Sequence, residues 1–324
     1  VIMKEKGKNV ITIPTSDNIF IRLFLRFGVE FFFVPFLALI LKKKKLLAFG
    51  NYNLIPYPVK KSILVHHPYL VDDCALEKQS FMVRFVENLK RMYFSLQVLL
   101  FPNNRYFAQT EHFLTALKEK YNGIDVSLLP NPLTNKIDFP QLPEYLCIVR
   151  NRIKRYACIN LLYVSRYYPH KNHDFLIELA RHIEHTNLNF KLFITIDENK
   201  IPLNLKQAIS DLPCIVNIGE VRQEELGEYY ESSHFCIFPS LTETFGNGLI
   251  EASKFGLPTL AFDLPYVNDV LGDVALKIDS IDSCIKALNS FSNSPDYYKQ
   301  ASRAVFEYSQ TFISVGEWVE KLSK

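Results

Sequence analysis

The sequence predicts an α/β protein built from two doubly wound, Rossmann-like halves that face each other across a cleft. Three observations carry that expectation. Short apolar runs alternate with amphipathic helical stretches along most of the chain, the pattern of a parallel sheet covered by crossover helices. The alternation lapses over residues 133–156, where Pro140, Pro143 and a mixed charge cluster stand, and then restarts. At 324 residues, each half is long enough to bury a core of its own.

In the first half, Leu46–Phe49, Ser62–His66, Tyr106–Gln109 and Val126–Leu129 read as strands, and residues 77–99 and Glu111–Lys120 as helices. In the second half, Asn160–Val164, Phe190–Ile196 and Ile215–Ile218 read as strands. His173–His185, Leu203–Ser210 and Glu224–Ser232 read as helices, and a long final helical pattern, Pro295–Leu322, breaks near Thr311. The expected organisation is a first domain over residues 1–140, a linker over 141–156 and a second domain over 157–304.

The most informative stretch is PSLTETFGNGLIEASKFGLPTLA, residues 239–261. Phe235–Phe238 before it and Thr259–Phe262 at its end read as buried strands; Leu249, Ile250, Ala252 and Phe255 form the apolar face of a helix that Gly256 and Pro258 stop. The loop Thr244-Phe245-Gly246-Asn247-Gly248 is short and glycine-punctuated, so its backbone can approach a ligand closely. Glu243 and Glu251 stand at the two ends of this unit with seven residues between them. Ligands of such crossovers sit at the carboxyl ends of the strands, where helix N-termini offer free N–H groups to anions. Two carboxylates there suit a ligand that is both phosphorylated and rich in hydroxyls, which describes a sugar nucleotide.

Composition narrows the alternatives. A hydrophobic share of 48% and a charged share of 22% carry no disorder signature. Cys74, Cys147, Cys158, Cys214, Cys236 and Cys284 lack metal-ligand spacing and read as reduced, mostly buried thiols. Residues 1–140 hold 19 Lys and Arg against 11 Asp and Glu, whereas the remainder holds 18 against 23. The basic half suggests an anionic partner, a membrane leaflet or a polyanionic acceptor, and no binding motif points to nucleic acid. Residues 18–41 are heavily apolar but include Arg22, Arg26 and Glu30, and Lys42–Lys45 follows. That pattern fits an amphipathic helix on an anionic membrane and a buried core helix equally well. No Ser/His/Asp arrangement, Walker loop or dinucleotide fingerprint occurs.

The segment around Glu243 and Glu251 resembles the E-x7-E signature of the retaining glycosyltransferases of GT-B architecture, specifically the GT4 group. The resemblance extends to Tyr163-Val164-Ser165-Arg166, Lys171-Asn172-His173 and Val216–Val221, and more weakly to Val65–Tyr69, Gln109-Thr110-Glu111 and Leu129–Pro132. It covers most of the chain from about residue 46 onward. It implies that the last helix, residues 305–324, packs back on the first domain. Against that resemblance, the first strand and helix of the first domain are expected to be missing. The chain starts at Val1, its first Met is Met3, and no strand with a glycine-rich turn comes before Lys8–Ile13. The sequence therefore reads as an N-terminally truncated fragment or as a domain that departs from the pattern. The segment at 9–13 resembles an internal strand.

The resemblance assigns roles. Arg166 and Lys171, five residues apart after a strand, match positions that hold the donor diphosphate; taken alone they read as well as surface charges on a loop. Glu251 would bind the ribose diol. Glu243 would contact the donor hexose and steady positive charge at the anomeric carbon, with Thr244, Phe245, Gly246, Asn247 and Gly248 around it. His66, in preference to His67, would position the transferred sugar, and Ile194–Thr195 with Gly219–Val221 would flank the nucleobase. The catalytic set is then Glu243, His66, Arg166 and Lys171. No cofactor and no metal are expected, since no Asp-x-Asp motif occurs and the Asp72-Asp73 pair reads as solvated surface. The expected activity is hexosyl transfer from a nucleotide sugar to a saccharide or lipid-linked acceptor. Its setting would be bacterial surface polysaccharide synthesis, in the cytoplasm or peripherally on the inner membrane face. A sugar-nucleotide epimerase or phosphorylase of the same architecture, or a catalytically silent binding protein, remains as an alternative.

Overall fold

In a computed structural model of the chain, the described residues are 60–155, 157–186, 188–292 and 294–323. To these are added β1 (Ile2–Glu5), β2 (Lys8–Ile11), β3 (Lys45–Ala48) and residues 36, 40, 50 and 51. The apolar run at 18–41 and the lysines at 42–44 lie outside the described residues, apart from exposed Phe36 and Ile40. Among the described residues no helix is long and apolar enough to cross a membrane. β2 pairs antiparallel with β1 in a ribbon of its own, so it belongs to neither parallel sheet and a strand does precede it.

The first parallel sheet runs β3, β4 (Lys60–Leu64), β5 (Arg105–Ala108), β6 (Asp125–Leu128). Strand side chains alternate between faces, and the two cores follow that period. Ile63, Val65, Tyr106 and Ala108 face a cluster with Phe94, Val98 and Leu117. Leu64 and Phe107 face the opposite way. The covering helices are α1 (Asp73–Glu77), α2 (Phe81–Leu100) and α3 (Glu111–Lys120). The helix expected from residue 77 starts at 81 instead, because the Ser80 side chain accepts from the Val83 N–H and caps a new helix there. One face of α2 packs inward through Phe94 and Val98; the other carries exposed Phe81, Phe85, Leu89, Met92, Leu96 and Leu99.

The second sheet has six parallel strands: β7 (Ile159–Tyr163), β8 (Phe190–Ile194), β9 (Ile215–Asn217), β10 (Phe235–Phe238), β11 (Thr259–Phe262) and β12 (Leu276–Ile278). Their spatial order, β12-β11-β10-β7-β8-β9, is that of a Rossmann sheet, so the winding reverses between β7 and β10. A crevice opens outside the carboxyl ends of those two strands.

The segment expected as a linker is a helix, α4 (Leu142–Lys154). Pro143 sits in its first turn, where a missing N–H costs nothing, and Gln141 and Glu144 form a capping box. Tyr145, Val149 and Arg152 recur at helical spacing and are buried against the second sheet's helices. The Arg152 guanidinium donates to the carbonyls of Tyr230, Glu231 and Phe255, at 2.8, 3.1 and 2.9 Å. A Cβ on Gly256 would come within 2.4 Å of the Tyr145 ring, so only glycine fits where α4 crosses. Proline and charge, taken as marks of a linker, here start a helix and tie down helix ends.

The remaining helices are α5 (His173–Glu184), α6 (Leu203–Asp211), α7 (Leu226–Ser232), α8 (Asn247–Lys254), α9 (Pro265–Leu271), α10 (Ile281–Ser292), α11 (Pro295–Tyr308) and α12 (Val315–Ser323). The final pattern does break after Tyr308, and the two pieces have different homes. Tyr298 and Phe306 of α11 join the second core. Trp318 of α12 packs on Leu64, Phe107 and Leu129, the free face of the first sheet. Only the part beyond Thr311 therefore returns to the first domain.

Candidate active site

A cleft of about 980 Å³ opens between the halves, with Leu64, His66, Asn131 and Lys136 on one wall and the strand-end loops of the second sheet on the other. Both loops that matter lie at the reversal point. The first follows β7 and carries Val164, Ser165 and Arg166 into the cleft, then makes a single 3-10 turn, Pro169–Lys171, ahead of α5. Ser165 N donates to Thr195 Oγ1 at 2.9 Å, tying this loop to the end of β8. Asn172 takes a left-handed conformation, φ 55°, to turn the chain into α5.

The second loop follows β10. Ser240 Oγ donates to Glu243 Oε1 at 2.8 Å, and the Lys171 ammonium pairs with the same oxygen. Both side chains are largely enclosed, 18% exposed for Lys171 and 13% for Glu243. Gly246 has φ 85° and caps α8, while a Cβ on Gly248 would stand 3.2 Å from the Phe238 ring. Both glycines are therefore dictated by backbone shape and close approach. One turn into α8, Glu251 is 6% exposed and accepts from Tyr230 OH at 2.9 Å and Gln223 Nε2 at 3.3 Å. Burial raises its pKa above 4.5, and the two donors partly offset that.

The other expected residues are placed as follows. Arg166 lines the cleft, is 76% exposed and stands 3.7 Å from Glu220. Thr244, Phe245, Gly246, Asn247 and Gly248 all line it. Val221 does too, whereas Gly219 is set back and serves as a turn at φ 75°. His66 lines the opposite wall; its exposed ring sits within the cleft, where displaced water lowers its pKa below 6.5. His67 turns away to Glu87, at 2.5 Å. Asp72 caps α1 through the Ala75 N–H, and Asp73 takes Arg91 and Lys120 at 2.6 and 2.7 Å. Among the described residues, no group of three or more His, Cys, Asp or Glu side chains gathers to hold a metal ion.

Residues 158–294 match the sequence model of the family described as glycosyl transferases group 1. That match spans most of the second domain. An uncharacterized glycosyltransferase of Haemophilus influenzae is 26% identical over 200 residues, which is 60% of this chain but only 53% of that protein. The O-antigen chain mannosyltransferase RfbU of Salmonella typhimurium is 25% identical over 291 residues, 85% of this chain and 75% of its own. The crystal structure of WaaG, a glycosyltransferase involved in lipopolysaccharide biosynthesis, superposes with a TM-score of 0.72 at 15% identity, over 99% of this chain and 87% of its own. The fold is GT-B.

Several cleft residues carry no pattern in the sequence. Lys136 follows a proline-rich stretch, and Gln223 opens a short 3-10 turn, so neither stands in a periodic pattern. Contacts between the halves were equally hidden. Asn131 Nδ2 donates to Asn247 Oδ1 at 2.9 Å, and Tyr69 OH lies 3.1 Å from His170 Nδ1, beside Lys171. A strand-end Pro-Asn-Pro was the only signal for the first, and nothing local marks the second.

Proposed function

We propose that the protein transfers a hexose from a nucleotide-sugar donor to a saccharide or lipid-linked acceptor, with retention and without a metal ion. One observation carries this reading: Glu243 and Glu251 line one cleft at the reversal point of a Rossmann sheet, with Lys171 and Arg166 on the neighbouring loop. Each group has a task. Arg166 and Lys171 meet the leaving diphosphate, the first bidentately and the second as a point charge. Glu251, already accepting two hydrogen bonds, offers a fixed carboxylate to the ribose diol. Glu243 lies beside the hexose, where its charge opposes the positive charge that develops as the anomeric bond breaks. His66 faces the donor from the acceptor wall.

An acceptor carried on a bacterial membrane, in surface polysaccharide synthesis, is supported by the similarity to RfbU and by the basic first half. The exposed apolar stripe of α2 supports it as well. We place the enzyme in the cytoplasm, at the inner face of the membrane. The test is a product assay. Purified protein is incubated with candidate nucleotide sugars, with and without acceptor-bearing membrane extract. Acceptor-dependent release of nucleoside diphosphate, with the new linkage in the donor's anomeric configuration, is expected. Release of nucleotide and an epimerised sugar without acceptor would establish the epimerase reading instead.

A further inference from the structure

The Lys171–Glu243 pair is held from behind by residues that do not touch the cleft. Tyr163, the last residue of β7, and Ser240, just past β10, are both fully buried. Tyr163 OH lies 3.0 Å from Ser240 Oγ and 3.0 Å from the Lys171 carbonyl oxygen. Ser240 Oγ in turn reaches Glu243 Oε1 at 2.8 Å, and Tyr266 OH donates to the Ser240 carbonyl at 2.7 Å.

Counting protons fixes the direction of this chain. Three contacts involve two hydroxyl protons. The carboxylate accepts only and is the strongest acceptor present, so it takes the Ser240 proton. The Tyr163 proton is then shared between Ser240 Oγ and the Lys171 carbonyl. One phenol thus grips both halves of the ion pair, the lysine through its backbone and the glutamate through a serine. Burial and the nearby Glu243 charge raise the Tyr163 pKa, so the phenol keeps its proton throughout the working pH range.

We propose that Tyr163 and Ser240 are positioning residues that hold Lys171 and Glu243 in register with each other, so that diphosphate and hexose meet cation and carboxylate at a preset spacing. This rests on the hexosyl-transfer reading given above. Fixed charges of that kind act in the transition state without reorganisation, and small misplacements of reacting groups are costly.

The experiment compares Tyr163→Phe, Ser240→Ala and Ser240→Thr with the wild type, each first checked for an intact thermal transition. Tyr163→Phe and Ser240→Ala are expected to lower kcat by about 10-fold or more, with donor KM changed less than about 3-fold. Ser240→Thr, which keeps the hydroxyl, should recover most of the loss. A second readout does not depend on turnover: the rate of Lys171 acetylation relative to Lys136, followed by peptide mass spectrometry. It should rise several-fold in Tyr163→Phe and Ser240→Ala. Wild-type kcat together with unchanged Lys171 reactivity in both variants would overturn the inference. A wild type inactive towards every donor would sink the hexosyl-transfer reading and leave the acetylation result to decide the positioning role.

Discussion

The ammonium of Lys171 rests against the carboxylate of Glu243, 72 positions later in the chain. Each of the two groups assigned to opposite ends of the donor's reacting bond therefore has the other as its partner. On the function proposed above, a nucleoside diphosphate entering the cleft would draw Lys171 into a shared contact while Glu243 keeps its second donor, Ser240.

Arg166 and Lys171 should then separate in their effects. Arg166 is mostly exposed and Lys171 is enclosed with an anion. Alanine at either position is expected to weaken nucleoside diphosphate binding by about 10–150-fold, the range for charge-assisted hydrogen bonds. Only Lys171→Ala should also lower the melting temperature, because it leaves the enclosed Glu243 without its cation. Titration calorimetry and thermal melts on both variants check this; unchanged affinity in both removes them from the diphosphate site.

Glu251 should trade stability for binding. Its pKa is raised in the folded chain, so the ionised form is penalised there. The penalty is absent well below pH 4.5 and complete once pH exceeds the raised value. Glu251→Gln removes it, and Tyr230 and Gln223 can reorient to satisfy the amide. The variant is expected to melt higher than the wild type at pH 7 and to show a raised donor KM with kcat little changed, since the ribose is unaltered by reaction. Glu243→Gln should do the reverse, losing about 100–1,000-fold in kcat. Steady-state kinetics showing the opposite pattern would reverse the placement of hexose and ribose along the loop.

Acid sensitivity should come from buried histidines. Burial holds His170, His173 and His234 at about 4, against an ordinary 6.5. Between those values the unfolded chain binds protons that the folded chain refuses. Stability is therefore complete above pH 6.5 and falls as pH drops toward 4, by about 1.4 kcal/mol per pH unit for each histidine. His173 has neither ring nitrogen hydrogen-bonded among the described residues and packs between Tyr163 and Tyr167, so His173→Phe should fold and show a shallower acid slope. Urea midpoints measured from pH 7 to 4 test this, and an unchanged slope in the variant refutes the contribution of His173.

Chelation should have little effect. If protein cations meet the diphosphate charge, EDTA leaves transfer largely intact. Activity abolished by EDTA and restored by manganese or magnesium would show that the leaving group is stabilised by a metal instead.

The parts of this molecule legible in its sequence are those with a short-range physical signal. The unit from β10 to β11 announces itself because two glycines, an apolar helix face and two buried runs fall within a few turns. The helix α4 did not, because Pro143 marks a helix start as readily as a linker and Arg152 finds its carbonyl partners some 80 to 100 residues away. β12 and α10 went unread between stronger patterns. Tyr163 and Ser240 looked like ordinary strand-end residues, since their role appears only when β7 and β10 become neighbours. His66 and Arg166 were nameable only by resemblance, because a single polar residue at a strand end carries no period.

The return of α12 to the first sheet has a mechanical consequence. The backbone crosses between the halves after β6 and again after Thr311, and Trp318 anchors the second crossing against Leu64, two residues before His66. Bodies joined by one tether can swivel about any direction. Joined by two, they keep a single easy rotation, about the line through both joints. A second crossing therefore restrains how the halves can turn against each other, and the cleft wall carrying His66 is fastened at that crossing.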